Sequence, residues 1–131
     1  MAHPLVYIHF PGTARQALEF YQSVFGGELS LNTFAEFGRS DGPADAIAHG
    51  MLIGTVELAG ADAAGDERPL STDGLMLSLL GTAPAETLRT WFEQLSEGGR
   101  VVEPLEVRPW GATDGQVVDR FGAHWLVGFE D

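Results

Sequence analysis

The chain has 131 residues, a length typical of one domain, with 44% hydrophobic and 20% charged residues and a formal net charge of -12. Seven Lys and Arg residues oppose 19 Asp and Glu residues, so the sequence lacks the clustered cations that bind nucleic acids or anionic membranes. The absence of cysteine excludes disulfides, thiolate metal sites and cysteine nucleophiles. We expect a cytoplasmic protein, because no signal peptide is evident and the apolar runs are too short to cross a bilayer.

The first 60 residues predict a strand, a helix and three further strands. The apolar run LVYIHF (5–10), bounded by prolines, is typical of a strand buried on both faces. Thr13 is placed to cap the helix that follows, whose apolar residues recur at helical spacing. Gly26-Gly27 ends that helix as a left-handed cap would. The next three strand candidates, with a tight turn expected at Gly54, are ELSLNTFAEF, AIAHGMLIG and TVELAG.

The same order of elements returns after a small, polar, acidic segment, which we assign as a linker at residues 61–73. LMLSLL predicts a strand, and APAETLRTWFEQLSEGG predicts a helix with Pro84 in its first turn and the same Gly-Gly stop. RVVEPLEV, GQVVD and HWLVGFE are three more strand candidates. The sequence therefore predicts an α+β fold of two βαβββ modules, residues 1–60 and 74–131, within a single domain.

Three stretches carry a resemblance to a known family: FPGTARQALEFYQSVFGGEL, AHGMLIG and LSEGGRVVEPLEVRPWGATDGQVVDRFGAHWLV. They resemble the PhnB-like branch of the vicinal-oxygen-chelate superfamily, which includes glyoxalase I, bleomycin-resistance proteins and extradiol dioxygenases. The resemblance covers nearly the whole chain and is most specific in PWG, DG and DRFGAHW. It implies that each module folds into a half-barrel cup. It also implies a homodimer, with ligand cavities where modules meet.

The resemblance further implies four positions for metal ligands, on the first and last strands of each module. Counted from the helix and the glycine turns, these positions fall on Val6, on or beside Glu57, near Gly74 and on Leu126. Three of the four offer no donor side chain, and one carboxylate alone holds a divalent ion weakly. We therefore expect no metal and no other cofactor.

Candidate ligand contacts in the cup are six residues: Phe10, His49, Glu57, Met76, Trp110 and His124. Phe10 either packs in the core or, with the strand parity of Val6, lines the cup, whereas His9 is out of phase and is expected to face the helix layer. His49 is either a cavity residue or a structural one. His124 is either a cavity residue or exposed at a strand end. Trp110 forms either an aromatic wall of the cavity or part of the core.

Glu57 is the candidate catalytic residue, because a carboxylate in an apolar strand is costly unless it is paired, hydrated or functional. If Glu57 faces the cup, a general base becomes conceivable; the alternative is an edge position that faces solvent. A displaced metal site formed by His49, Glu57 and His124 also stays open. Arg108 pairs with Glu57, with a ligand carboxylate, or with nothing.

These patterns predict a small-molecule-binding protein without the superfamily metal, whose partners are its ligand and a second copy of itself. With Glu57 as the fixed charge of the cup and aromatic walls beside it, cationic or neutral aromatic ligands are favoured. The alternative is a superfamily enzyme of lyase, isomerase or dioxygenase type. Such an enzyme would use a displaced metal site or acid–base chemistry at Glu57 or a histidine.

Overall fold

A computed structural model describes residues 4–130 and divides the chain into two compact units between Leu70 and Ser71. Unit 1 contains β1 (Tyr7–Phe10), α1 (Ala14–Phe25), β2 (Glu28–Thr33), β3 (Ile47–Ile53) and β4 (Leu58–Asp62). Unit 2 contains β5 (Leu77–Leu80), α2 (Ala85–Ser96), β6 (Arg100–Val107), β7 (Thr113–Val118) and β8 (His124–Phe129). Both units have the predicted βαβββ order, and the α+β fold class is confirmed.

Each unit folds its four strands into one sheet, in the order β1-β4-β3-β2 and β5-β8-β7-β6. The first strand of each unit pairs in parallel with the last, and the other neighbours are antiparallel. One helix per unit covers one face of its sheet. The opposite face of each sheet is left uncovered by elements of its own unit, which is the geometry of a half-barrel cup.

The apolar stripes predicted for the two helices are buried, as expected for amphipathic helices on a sheet. In α1 the buried residues are Ala14, Ala17, Leu18, Tyr21, Val24 and Phe25, and in α2 they are Leu88, Trp91, Phe92 and Leu95. The helix α1 ends before Gly26 and Gly27, as predicted, and both have positive φ angles, of 74° and 99°. Gly26 has a ψ angle of -166°, so the predicted left-handed helical cap is wrong and the stop is an extended glycine conformation. In the part of the chain that the structure describes, no helix is both long and apolar enough to span a membrane.

The start of α1 differs from the prediction, because Thr13 makes no side-chain capping hydrogen bond. The buried carboxylate of Asp62 takes that role from the end of β4. Its Oδ1 accepts a hydrogen bond from Ala14 N at 2.9 Å, and its Oδ2 accepts one from Ile47 N at 2.9 Å. The strand β4 thus runs to Asp62, inside the segment that the sequence assigned to a linker. A carboxylate that satisfies two buried amides ties the strand to the helix.

Asp119 is the corresponding buried carboxylate of unit 2, but it organises a turn. It accepts hydrogen bonds from Phe121 N at 2.8 Å, from Ala123 N at 3.1 Å and from Trp125 Nε1 at 2.8 Å. These three bonds hold the connection between β7 and β8 against the buried indole of Trp125. Three hydrogen bonds to the Asp119 carboxylate account for its burial without a metal or a ligand.

Candidate functional site

The two faces of the first sheet are distinguished by Gly50 and its cross-strand partner Gly60. A Cβ atom at Gly50 would collide with Leu18 of α1, so this side of the sheet faces the helix. Phe10 lies on the same side, because a Cβ at Gly60 would come within 3.0 Å of the Phe10 ring. Phe10 is fully buried there and Ile8 is 3% exposed. The prediction that Phe10 lines the cup is therefore wrong.

Tyr7 and His9 lie on the opposite, open face, so the expected orientation of His9 towards the helix layer is also wrong. Tyr7 is 47% exposed, and the His9 side chain is 33% exposed. The alternation along β1 was predicted correctly, but the two sides were exchanged. The strand is accordingly buried on one face, within its unit, rather than on both. The outer positions of β1 hold polar aromatic side chains because they do not pack against α1.

Tyr7, His9 and His49 form a contiguous group on this open face, which we term the Tyr7 cluster. Tyr7 Oη lies 3.0 Å from His49 Nδ1, and the two rings stack at 24° with centroids 5.7 Å apart. Tyr7 also meets His9 edge-on, at 81° and a centroid distance of 5.7 Å. Tyr7 and His9 pair in register with Ala59 and Ala61 of β4, whose small side chains form the floor between the rings.

Charged side chains surround the Tyr7 cluster. His9 Nε2 lies 3.7 Å from Glu67 Oε2. Arg39 Cζ stands 4.3 Å from the centroid of the Phe34 ring, while Arg39 Nε donates a hydrogen bond to Asp41 Oδ1 at 2.9 Å. Burial raises the pKa of the Tyr7 phenol above its ordinary value of 10.0, with Glu67 adding to this and Arg39 opposing it. Tyr7 is thus a neutral hydrogen-bonding group at physiological pH.

Glu57, the predicted catalytic candidate, lies elsewhere in unit 1. It directly precedes β4, is half-buried, and lines an open cavity of 460 Å³ with Pro4, Leu5, Val6, Gly54 and Thr55. His49 does not line this cavity. The sequence suggested that His49 and Glu57 share one site. In unit 1 they do not.

The metal positions of the superfamily are not matched by donors in this chain. Among residues 4–130 no three His, Cys, Asp or Glu side chains lie together in a way that could hold a metal ion. The four implied positions carry Val6, Glu57, Gly74 and Leu126, of which Glu57 alone has a donor side chain. The described residues do not fit a divalent metal, and the absence of a bound ion stays a prediction that elemental analysis tests.

The open face of the second sheet carries Leu126 and His124 on β8, on the side opposite the buried Trp125 and Val127. Ser78, Leu126 and Gln116 form one cross-strand row. His124 Nε2 lies 2.9 Å from Gln116 Oε1, so this histidine is held by a neighbour on its own face. Met76 is 40% exposed and directly precedes β5.

Trp110 is 72% exposed, which rules out the core position that was one of its two alternatives. It lines a cavity of 540 Å³ in unit 2 with Leu80, Gly81, Ala112, Thr113, Asp114, Phe129 and Glu130. Arg108 pairs with Asp114, and neither with Glu57 nor with nothing, as two of its three alternatives had it. Its Nε donates to Asp114 Oδ1 at 2.8 Å, and its Nη2 donates to the carbonyl oxygens of Asp114 and Pro104 at 2.8 and 3.1 Å.

Sequence reasoning missed Tyr7, Asp62 and Asp119. Tyr7 and His9 stand two apart in a strand, so a polar aromatic pair on one face was a signal that could have identified the open side. Asp62 ends the otherwise apolar strand LAGAD, and Asp119 follows Val117 and Val118; a carboxylate next to such apolar residues indicates a buried partner.

Two βαβββ units, each with a helix on one sheet face and an open cup on the other, define a class of small α+β proteins built from half-barrel modules. The model of the Glyoxalase/Bleomycin resistance protein/Dioxygenase superfamily matches residues 7–127. The chain therefore belongs to this superfamily.

Three relatives place the chain within it. Protein YjdN of Escherichia coli K12 is 28% identical, over 92% of this chain and 90% of that protein. The crystal structure of PA1353 from Pseudomonas aeruginosa has a TM-score of 0.82 and 30% identity, and covers 99% of this chain and 98% of the other. A PhnB protein from Bacillus cereus has a TM-score of 0.81 at 21% identity, covers 98% and 99% of the two chains, and shows the shared fold. The predicted superfamily is thereby confirmed.

Proposed function

We propose that the protein binds a small, partly apolar molecule on the open face of its first sheet, against the Tyr7 cluster. The observation that carries this proposal is the set of contacts among Tyr7, His9 and His49: stacked and edge-on rings, a 3.0 Å hydrogen-bonding distance, and partial exposure. Ligand sites combine apolar or aromatic walls with a few oriented polar groups. The Tyr7 cluster supplies both from strands of one sheet, which hold the groups in place.

The hydrogen bond between Tyr7 and His49 orients the site. If Tyr7 Oη donates to Nδ1, His49 carries its proton on Nε2 and presents that N–H as a donor. A ligand carbonyl or hydroxyl oxygen is the natural acceptor. The neighbouring carboxylate of Glu67, 3.7 Å from His9, disfavours anionic ligands and favours neutral or cationic ones. A net charge of -12 acts in the same direction over a longer range.

The proposal includes a homodimer in the cytoplasm without a bound metal. The sheet faces opposite the helices remain uncovered within each unit, and exposed apolar residues of unit 2 include Val101, Val102 and Val107. A second copy of the chain would cover such surfaces. Light scattering at micromolar concentration is expected to give twice the mass of the chain, and a monomeric mass would contradict this part of the proposal.

The binding test uses three benzene derivatives of similar size: benzyl alcohol, benzylamine and benzoate. Calorimetric titrations of the wild type should show binding of the alcohol and the amine and weaker binding of benzoate. Tyr7→Phe and His49→Gln should each weaken binding about tenfold, the loss of one or two net hydrogen bonds. His124→Gln is the matched control, because it makes the same change at a histidine of unit 2. Equal loss in the control, or tightest binding of benzoate, would overturn the proposal.

A second candidate is acid–base catalysis by the Tyr7–His49 pair, in line with the enzymes of the superfamily. The 3.0 Å contact between Tyr7 Oη and His49 Nδ1 favours it, since a phenol that fixes one imidazole nitrogen leaves the other free to exchange a proton with a ligand. Exchange of the methyl protons of acetophenone with D2O, followed by NMR, tests this function. An exchange rate that is the same in wild type and His49→Gln would eliminate it.

A further inference from the structure

We infer that the cavity beside Trp110 in unit 2 is a binding site for a small organic cation, such as a quaternary ammonium compound with an apolar substituent. This site uses none of the residues of the Tyr7 cluster. It differs from that cluster in chemistry, because its walls are an indole, aliphatic and phenyl groups, and two carboxylates.

The exposure of Trp110 is exceptional within this chain. It is 72% exposed, whereas the other two tryptophans, Trp91 and Trp125, are 5% and 1% exposed. Because the indole of Trp110 is exposed to water, the folded protein lacks a large part of the stabilisation that burial of a tryptophan contributes. Large exposed aromatic side chains at a cavity mark surfaces that bind something.

The indole is mounted on a tight, hydrogen-bonded turn. Arg108 N donates to Ala112 O at 2.7 Å, and Gly111 N donates to Arg108 O at 2.9 Å. Gly111 has a φ angle of 100°, a conformation that favours glycine. The Arg108 side chain adds three hydrogen bonds, two to Asp114 and one to Pro104. The turn therefore presents the Trp110 ring from a fixed backbone, which lowers the entropic cost of binding.

Two carboxylates and the ring of Trp110 line the 540 Å³ cavity. The carboxylates are Asp114 and Glu130, and no lysine or arginine lines the cavity among the residues described. Two arginines approach its walls: Arg108 pairs with Asp114, and the Arg89 guanidinium lies 4.9 Å from the centroid of the Phe129 ring. Arg108 offsets the charge of Asp114 and Arg89 keeps its own charge, so the preference for a cation rests on the indole face and on Glu130 as a lining carboxylate.

An ammonium group over an indole face is attracted by the negative electrostatic potential of the ring, and a nearby carboxylate strengthens the attraction. Leu80 and Phe129 provide an apolar surface for the substituent that such a cation carries. Anions lack both attractions and are repelled by Glu130. The geometry thus selects an organic cation over a neutral or anionic molecule of the same shape.

Tryptophan fluorescence of the full chain tests the inference, because exposure makes Trp110 the residue whose emission responds to an added ligand. Benzyltrimethylammonium should give a saturable change in emission, with benzyl alcohol weaker and benzoate weakest. Trp110→Leu should abolish the change and weaken calorimetric binding of benzyltrimethylammonium about fivefold. Trp110→Leu is expected to fold, since the side chain is exposed.

Glu130→Gln should weaken benzyltrimethylammonium binding about threefold and reduce its dependence on salt. Glu93→Gln is the matched control: it removes an exposed carboxylate from α2 of the same unit and should leave the affinity unchanged. Benzoate binding as tightly as the cation would overturn the inference. So would undiminished calorimetric binding of the cation by Trp110→Leu, or equal effects of Glu130→Gln and Glu93→Gln.

Discussion

The open faces of the two sheets differ, although the two units have the same order of strands. In unit 1 the open face carries Tyr7, His9 and His49, which are aromatic and hydrogen-bonding. In unit 2 the open face carries Ser78, Leu126 and Gln116 in one cross-strand row, and the histidine there, His124, bonds to Gln116 rather than to a tyrosine. Both helix-facing sides are apolar, because each must pack against a helix. The comparison teaches that packing constrains one face of each module and leaves the other free to acquire distinct chemistry.

The largest expected effect is on stability, and it is seen by replacing one buried tryptophan and one exposed tryptophan with alanine. Trp91→Ala removes a helix side chain that is 5% exposed and should lower the free energy of unfolding by about 3–5 kcal/mol. Trp110→Ala removes one that is 72% exposed and should change it by less than about 0.5 kcal/mol. Urea unfolding measures both. Similar losses would show that Trp110 is packed in solution.

Replacing either of the two buried aspartates should give the next largest loss of stability. Asp62 bonds backbone amides far away in the sequence, whereas Asp119 bonds groups within a few residues of itself. Asp62→Ala leaves the amides of Ala14 and Ile47 without their acceptor and should cost about 3 kcal/mol in urea unfolding. Asp119→Ala should cost a similar amount, through Trp125 Nε1 and the turn amides. Asp73→Ala, at an exposed position, should have no effect. A destabilised control or a stable Asp62→Ala would refute the anchoring role.

A smaller effect is the pH dependence that follows from the pKa of Tyr7. Both tyrosines of the chain lie in unit 1, so a titration of the phenols reports on that unit alone. The pKa of Tyr7 should lie above its ordinary value of 10.0, mainly because of burial. A raised folded-state pKa means that its contribution to stability is complete below pH 10 and is lost as pH rises through the folded pKa. Ultraviolet absorbance follows the phenolate. Tyr7→Phe should remove the Tyr7 contribution to this titration.

The smallest expected effect is that of metal removal. Because Val6, Gly74 and Leu126 occupy three of the four ligand positions implied by the superfamily, chelator treatment should change neither ligand binding nor the unfolding midpoint. Elemental analysis of protein purified without chelator should find far less than one divalent ion per chain. About one zinc, nickel, manganese or iron per chain would contradict the prediction and reopen a displaced site.

The order of elements, the helix faces and the glycine stop after α1 could all be predicted from the sequence. These features depend on neighbours a few residues apart: the spacing of Leu18 and Tyr21 in α1, or the need for glycine at Gly26 and Gly27. The superfamily, too, was identifiable from local stretches such as DRFGAHW. Alternation along β1 was equally clear from the sequence.

The tertiary structure alone decided which side of that alternation meets the helix, and therefore that Phe10 is buried and that His9 is partly exposed. Alternation along a strand means that the side chains of neighbouring residues point to opposite faces of the sheet. It does not tell which of the two faces the helix covers. The contact between Tyr7 and His49 spans 42 positions, and Asp62 reaches Ala14 across 48. Such contacts arise when strands pair, since register across a sheet depends on all its strands together and not on any one segment.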